Sequence, residues 1–306
     1  MKVAIVGGSG IVGSTAAYRL AQDGRVDEIV LLDIRRNLAE AHALDIEQAV
    51  AFRSTTRVRG GNAEDAAASD VVILAASAPR PEVEISRRDY LSKNLPLLLD
   101  AVGPLYARAP SALFLVAASP VDPLVYLLHR ACAIPREKVI GLNRNDTARF
   151  RWAIAKALSV PSTAVEAFVL GEHGESQVPL FSSIKIDGRP VALKPEEKER
   201  IREEMAGFFV AWNRLLSGRT TGWTSAESIG DIIGSMALDD GRLWPCSACL
   251  IGEYGFRDVS LGVPVALASG KIKEIVEFDL EPSEQQALAA SARSVQEMIR
   301  DGEALL

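Results

Sequence analysis

The stretch Lys2-Val3-Ala4-Ile5-Val6-Gly7-Gly8-Ser9-Gly10-Ile11-Val12-Gly13 passes from a β-branched strand through a glycine-rich turn into a helix predicted over Val12–Gln22. Gly8, Gly10 and Gly13 satisfy G-x-G-x-x-G, and Gly7, Gly10 and Gly13 satisfy the looser G-x-x-G-x-x-G. Between a strand and a helix, such glycines give a tight turn, let a pyrophosphate approach the backbone and let the helix pack on the strand. The helix that follows offers unpaired N–H groups and a partial positive charge to phosphates. A glycine turn alone can also serve a βαβ unit that holds no nucleotide. Asp33 tips the reading, because it ends the next predicted strand, Glu28–Asp33, and lies 20 residues past Gly13. A carboxylate there accepts bonds from ribose hydroxyls and repels a 2′-phosphate, which favours NAD over NADP. Arg35 and Arg36 are the neighbours that would soften that preference. Gly7, Gly10, Ile11, Val12, Gly13 and Asp33 are therefore the candidate cofactor residues.

Working outward, short β-branched runs at Val58–Gly60, Val71–Ala75, Leu113–Ala117 and Lys138–Leu142 alternate with helices predicted over Asn37–Phe52 and Arg87–Arg108. That is the rhythm of a parallel sheet with crossover helices, an α/β fold. Lys138–Leu142 is expected to close the sheet, with a domain edge near residue 143 dividing the chain into 1–143 and 144–306. The second half predicts helices over Thr147–Leu158, Pro195–Leu216 and from Pro282 onward. Extended segments are expected at Val165–Leu170, Val178–Ile186, Cys246–Ile251, Val259–Leu261, Val263–Leu267 and Glu274–Phe278. A length of 306 residues suits two domains better than a single core.

With 48% apolar and 24% charged residues, the composition is that of a globular protein. The net charge of −6 argues against nucleic acid or an anionic membrane as partner, since both demand a basic face. It leaves room for a small anionic substrate held by a few arginines. No apolar run reaches the length of a membrane span, and Ser111–Ala118 is far too short. The chain enters its first strand without a charged leader, and Cys132, Cys246 and Cys249 cannot build a disulfide framework. Both features predict a cytoplasmic location. Cys246 and Cys249 have C-x-x-C spacing, but no second pair or zinc-spaced histidine accompanies them, so packing is expected and a metal site is not.

Histidine is scarce. His42 lies in an alanine-rich helix and His129 in an apolar one, which suits packing. His173, in Leu170-Gly171-Glu172-His173-Gly174-Glu175-Ser176, is flanked by glycines after a strand, where an imidazole can face a cleft and act as a general base. This block is similar to the GEHGDS motif of the lactate/malate dehydrogenase family. Leu44-Asp45-Ile46, Ala78-Pro79-Arg80, Ser86-Arg87-Arg88-Asp89, Pro120-Val121-Asp122, Val139-Ile140-Gly141, Asp146-Thr147-Ala148-Arg149 and Gly262-Val263-Pro264 follow in family order at family spacing. The resemblance implies a Rossmann dinucleotide-binding domain followed by a mixed α/β substrate domain, and an NAD-dependent oxidoreductase acting on a small L-2-hydroxy acid. It implies that His173 is the acid/base, that Asp146 fixes its tautomer, that Arg149 grips the substrate carboxylate and that Arg87 polarises the C2 oxygen. Asn94, Ala117 and Ser119 match positions at the cofactor and nicotinamide end, and Thr220 matches a pocket threonine. Arg80 stands where a second substrate carboxylate would be read, implying malate and oxaloacetate, with lactate or another polar 2-hydroxy acid as alternatives. The resemblance further implies a homodimer or homotetramer, built partly on the helix around Leu44.

The chain also departs from the family pattern. Ser119 replaces an asparagine, Asn145 a substrate-facing leucine and Thr224 an apolar residue, while Arg144 adds a cation and the interval from Arg80 to Arg87 is one residue longer. These changes predict a more polar pocket. Short-chain reductases share the glycine motif but need Tyr-x-x-x-Lys, which none of Tyr18, Tyr90, Tyr106, Tyr126 and Tyr254 supplies. A non-catalytic NAD sensor is the other rival, and the joint presence of His173, Asp146, Arg149 and Arg87 argues against it.

Overall fold

A computed structural model describes residues 1–79, 86–215, 217 and 219–306. The first half carries strands β1 (Lys2–Val6), β2 (Glu28–Leu32), β3 (Arg57–Gly61), β4 (Val71–Leu74), β5 (Leu113–Val116) and β6 (Val139–Leu142). They pair in parallel in the order β3-β2-β1-β4-β5-β6. Helices α1 (Ile11–Asp23), α2 (Arg36–Val50), α3 (Arg87–Arg108) and α4 (Val121–Ala131) connect them. The strand order reverses between β1 and β4, and the crevice beyond the carboxyl ends of such strands is where doubly wound sheets bind ligands. The glycine loop, Ala78, Ala117 and Ser119 all follow strand ends there.

Local chemistry explains the elements. Ala16, Ala17, Leu20 and Ala21 bury one face of α1, which ends at Gly24 in the left-handed region. Ser86 and Asp89 form a reciprocal capping box that starts α3 at Arg87, and this helix runs on through Pro96 and Pro104.

The second half holds β7 (Val165–Glu166), β8 (Val169–Gly171), β9 (Gln177–Pro179), β10 (Lys185–Ile186), β11 (Arg189–Pro190), β12 (Leu243–Ile251), β13 (Arg257–Ala268) and β14 (Lys271–Ile275). Its helices are α5 (Arg144–Leu158), α6 (Pro195–Arg214), α7 (Gly222–Leu238) and α8 (Pro282–Glu303). Here the structure corrects one expectation. Lys138–Leu142 does not close the sheet, because β12 pairs antiparallel with β6 through Cys246↔Leu142 and Ser247↔Gly141. β13, β8 and β9 follow, and β14 pairs with β13, so the sheet has eleven strands among the described residues. Gly141 permits the junction, since a Cβ there would lie 2.3 Å from Val121 and 2.7 Å from Ser247.

Three further differences have physical causes. β13 is one strand rather than two, because Gly262 marks close backbone approach rather than a break; its Cβ would sit 2.8 Å from the Gly171 carbonyl oxygen. The expected extended run Val178–Ile186 is interrupted by a 3-10 turn at Phe181–Ser183. Helix α7 is absent from the sequence reading because Gly222, Gly230 and Gly234 read as helix breakers, although Ile229, Ile232, Ile233 and Met236 recur at helical spacing and are buried. Those glycines serve close packing on α1 instead: a Cβ on Gly222 would meet Ile11 at 2.8 Å, and one on Gly230 would meet Arg19 at 2.8 Å. Cys246 and Cys249 are buried free thiols, each pushed up to about 12 by burial, as packing residues would be.

Candidate active site

The cofactor end is built from backbone. Gly7 adopts φ +82°, and a Cβ there would lie 2.5 Å from the Ala76 nitrogen. A Cβ on Gly13 would lie 2.2 Å from the Gly7 carbonyl oxygen, so the first turn of α1 rests directly on the loop. Ile11 and Val12 begin that helix. At the rim, Asp33 accepts the Ser9 amide at 3.0 Å and the Arg35 amide at 2.9 Å. Burial alone would raise the Asp33 carboxyl, but the bonds from Ser9 and Arg35 hold it below the ordinary aspartate value. A glycine-rich cradle at a helix N-terminus, with an ionised carboxylate 20 residues past its last glycine, fits a dinucleotide with an unmodified ribose.

The catalytic candidates meet at the other end of the crevice. The first turn of α5 presents Asp146, and the chain leaving β8 presents His173. Imidazole Nδ1 lies 2.5 Å from Asp146 Oδ2, while Asp146 Oδ1 accepts from Arg149 NH1 at 2.8 Å. Arg149 also stacks over Phe208 of α6 at 5.3 Å. Arg87, at the start of α3, donates from NH1 to the His173 carbonyl at 2.6 Å and lies 3.3 Å from Glu172 Oε1. Burial by itself would push the His173 imidazole down. The charge and hydrogen bond of Asp146, helped by Asp122, overcome that and leave it above the ordinary histidine value. Burial would likewise raise Asp146, but His173, Arg149 and Arg87 hold it below the usual carboxylate range. Protonated histidine is thus favoured beside a carboxylate that stays ionised, the requirement for an imidazole that must accept a proton and keep it.

Two residues without a role in the sequence reading support this centre. Asp122 is fully buried and accepts the His173 amide at 2.7 Å, Ser247 Oγ at 2.7 Å and Asn143 Nδ2 at 3.3 Å, while its own carbonyl accepts from Ser260. Burial pushes its carboxyl up to about 6. Glu172 is the second. The signal for Asp122 was an acid at the head of the apolar run Leu124–Leu128.

Other candidates lie elsewhere. Asn94 is buried; it accepts the Ala78 amide at 2.7 Å and donates to the Ser119 carbonyl at 2.6 Å, bracing the loops beyond β4 and β5. Ser119 is exposed and precedes a cis bond to Pro120, and Ala117 is half-buried. Thr220 is exposed just ahead of α7, whose Gly222 abuts Ile11. Arg80 lies outside the described residues. Two of the polar departures, Asn145 and Arg144, fasten α5 to α7. Asn145 is buried, donating to Ser225 Oγ at 3.0 Å and accepting from Ser228 Oγ at 2.7 Å. Arg144 pairs with Asp231 and stacks on Trp244 at 5.3 Å. His42 is half-buried on α2, and His129 Nδ1 lies 2.6 Å from the Ile134 carbonyl oxygen.

Comparison with known proteins adds independent findings. Residues 1–141 match the NAD binding domain of lactate/malate dehydrogenase, and residues 144–306 match its alpha/beta C-terminal domain. The chain is 35% identical to the malate dehydrogenase of Haloarcula marismortui over 297 residues, covering 96% of this chain and 97% of the relative. It is 33% identical to L-lactate dehydrogenase 3 of Bacillus cereus over 299 residues, covering 95% and 94%. The crystal structure of Cryptosporidium parvum malate dehydrogenase superposes with a TM-score of 0.92 at 28% identity over 99% of both chains.

Proposed function

The chain belongs to the lactate/malate dehydrogenase family, and on that premise we propose that it interconverts malate and oxaloacetate at the His173–Asp146–Arg149 centre. As a family member it is an NAD-dependent 2-hydroxy acid dehydrogenase. The observation that carries the reading is the imidazole held at 2.5 Å by a buried carboxylate that also engages an arginine one turn along the same helix.

Bound NAD supplies the acceptor for the hydride that leaves C2 of the hydroxy acid. With Nδ1 engaged by Asp146, His173 Nε2 takes the hydroxyl proton. Asp146 then stabilises the imidazolium, and a buried opposite charge at hydrogen-bond distance is worth far more there than in water. Arg149 grips the C1 carboxylate through its planar fork, and Arg87 stabilises charge on the C2 oxygen. Gly7, Gly10, Ile11, Val12, Gly13 and Asp33 hold the cofactor, with Asn94, Ala117, Ser119 and Thr220 shaping its nicotinamide end. Arg80 pairs with the second carboxylate of a four-carbon acid, and pyruvate would leave that cation without a partner. Relatives named as malate dehydrogenases at 35% identity support this choice, and those named as lactate dehydrogenases keep pyruvate in the test.

The experiment is NADH oxidation by purified protein against oxaloacetate, pyruvate and a panel of 2-keto acids. A kcat/KM for oxaloacetate roughly a hundredfold above that for pyruvate is expected. Comparable values for the two would refute the assignment to malate. NADH binding without turnover of any keto acid would turn the reading to a sensor.

The division into 1–143 and 144–306 is part of the proposal, supported by the separate family matches on either side. So is a cytoplasmic homodimer or homotetramer using the face of α2. Exposure of Leu44 on that helix and of Trp223 on α7 supports the assembly, and the three free thiols suit a reducing compartment.

A further inference from the structure

We propose that Glu172 is a positioning residue for Arg87, seating its guanidinium against the backbone of His173; this rests on the reading of Arg87 given above. Glu172 is only 4% exposed, yet it sits in the residue preceding the imidazole and does not touch the His173–Asp146 pair through any bond in the structure. Its carboxylate is itself fixed. Oε2 accepts from Ser176 Oγ at 2.5 Å and from the Ser176 amide at 3.3 Å, and the Glu172 amide donates to Ser291 Oγ at 2.8 Å. That leaves Oε1 facing Arg87 NH1 at 3.3 Å, while the same NH1 donates to the His173 carbonyl at 2.6 Å.

Gly174 supplies an independent observation. A Cβ there would lie 2.4 Å from Glu172 Oε1, 2.6 Å from Arg87 NH1 and 2.7 Å from Arg87 Cζ. The backbone after His173 thus keeps open the volume that the ion pair fills. Residues 172–174 form a seat with three parts: a carboxylate, a carbonyl and a missing side chain. Arginine reaches any target on a long flexible stem, so a cation that must meet developing charge at one place gains from being held beforehand. Arg87 is 42% exposed, and without the seat its stem would sample solvent. Arg149, which the substrate carboxylate engages, is tied to Asp146 instead, so the seat governs the rate step more than binding.

The test is a double-mutant cycle on the full-length enzyme, with the best keto acid of the panel and saturating NADH. Glu172→Gln keeps the shape and the acceptor for Ser176 but removes the charge. It is expected to lower kcat about tenfold while KM moves less than about twofold. In an Arg87→Ala background the same change is expected to cost less than about twofold, because there is no guanidinium left to seat. Added guanidinium should restore part of the rate of Arg87→Ala, and Glu172→Gln should raise the concentration needed by about tenfold. Equal losses from Glu172→Gln in both backgrounds would mean a merely structural role and overturn the proposal. An Arg87→Ala enzyme with unchanged kcat would instead remove the role given to Arg87 itself. Should Glu172→Gln fold poorly, Gly174→Ala carries the same test, since its Cβ intrudes on both Glu172 Oε1 and the guanidinium and so splits the pair without removing either charge; a kcat loss that persists undiminished in Arg87→Ala again overturns the proposal.

Discussion

Replacing Asp146 by Asn tests the centre most directly. Asp146 is 3% exposed and lies 2.5 Å from His173 Nδ1, so the substitution removes a buried charge while keeping nearly the same shape. At ~4 Å between charge centres and an effective dielectric constant of ~20, the lost attraction for imidazolium is about 4 kcal/mol. At 1.36 kcal/mol per unit, that lowers the His173 pKa by about 3 units. The base is then weaker by the same amount, and kcat for hydroxy-acid oxidation at neutral pH is expected to fall ~10²- to 10³-fold. The acid limb of the kcat profile reports protonation of the base, so it should move to lower pH by about 2–3 units. Steady-state kcat between pH 5 and 9 measures both, and NADH fluorescence titration checks that the cofactor still binds. A loss smaller than about tenfold with an unmoved acid limb would refute the reasoning, because Asp146 would then not set the state of His173.

Other outcomes follow from single contacts. Asn145→Leu breaks the buried bonds to Ser225 and Ser228 and should cost about 2 kcal/mol, lowering Tm by about 5 °C, while the oxaloacetate-to-pyruvate ratio changes less than about twofold. A shifted ratio at constant Tm would return Asn145 to the substrate pocket. Asp33→Ser removes the acceptor at the cradle rim; KM for NAD should rise about tenfold and the preference over NADP should shrink, and an unchanged ratio of the two would contradict its role. Asp122 titrates at about 6 in the folded protein against 3.8 as a free side chain, so the folded state holds this proton more tightly. Its contribution to stability is greatest below about pH 4 and is lost as pH rises through 6, a change of about 3 kcal/mol. Asp122→Asn should therefore gain on wild type between pH 4 and 7, read as the difference between their urea midpoints; a pH-independent difference would contradict the shift.

The first half of the chain was legible because its signals are local. Glycines 7, 10 and 13, the acid at 33 and the alternation of β-branched runs each depend on neighbours in sequence, and the strands they predict match β1 to β6. His173 stood out by its flanking glycines. What the sequence concealed depends on partners far away. Helix α7 has apolar residues at helical spacing, Ile229, Ile232, Ile233 and Met236, but its Gly222 and Gly230, which read as breakers, are explained only by their close contact with α1. The bonds that Asn145 makes to Ser225 and Ser228 had no sequence signal because those partners lie 80 or more residues on. The role of Glu172 needs Arg87, 85 positions before it, and no spacing rule joins those two.

The pairing of β12 with β6 has a mechanical consequence. The antiparallel ladder that sets Cys246 opposite Leu142 and Ser247 opposite Gly141 runs one sheet through both halves of the chain. Opening the crevice by swinging one half away from the other would tear that ladder and the serine contacts of Asp122 beside it. The molecule is braced like a single beam rather than jointed like a jaw. Adjustment around a bound acid is therefore left to short pieces at the crevice rim, and the distance from the cofactor cradle to His173 is set when the chain folds, before any ligand arrives.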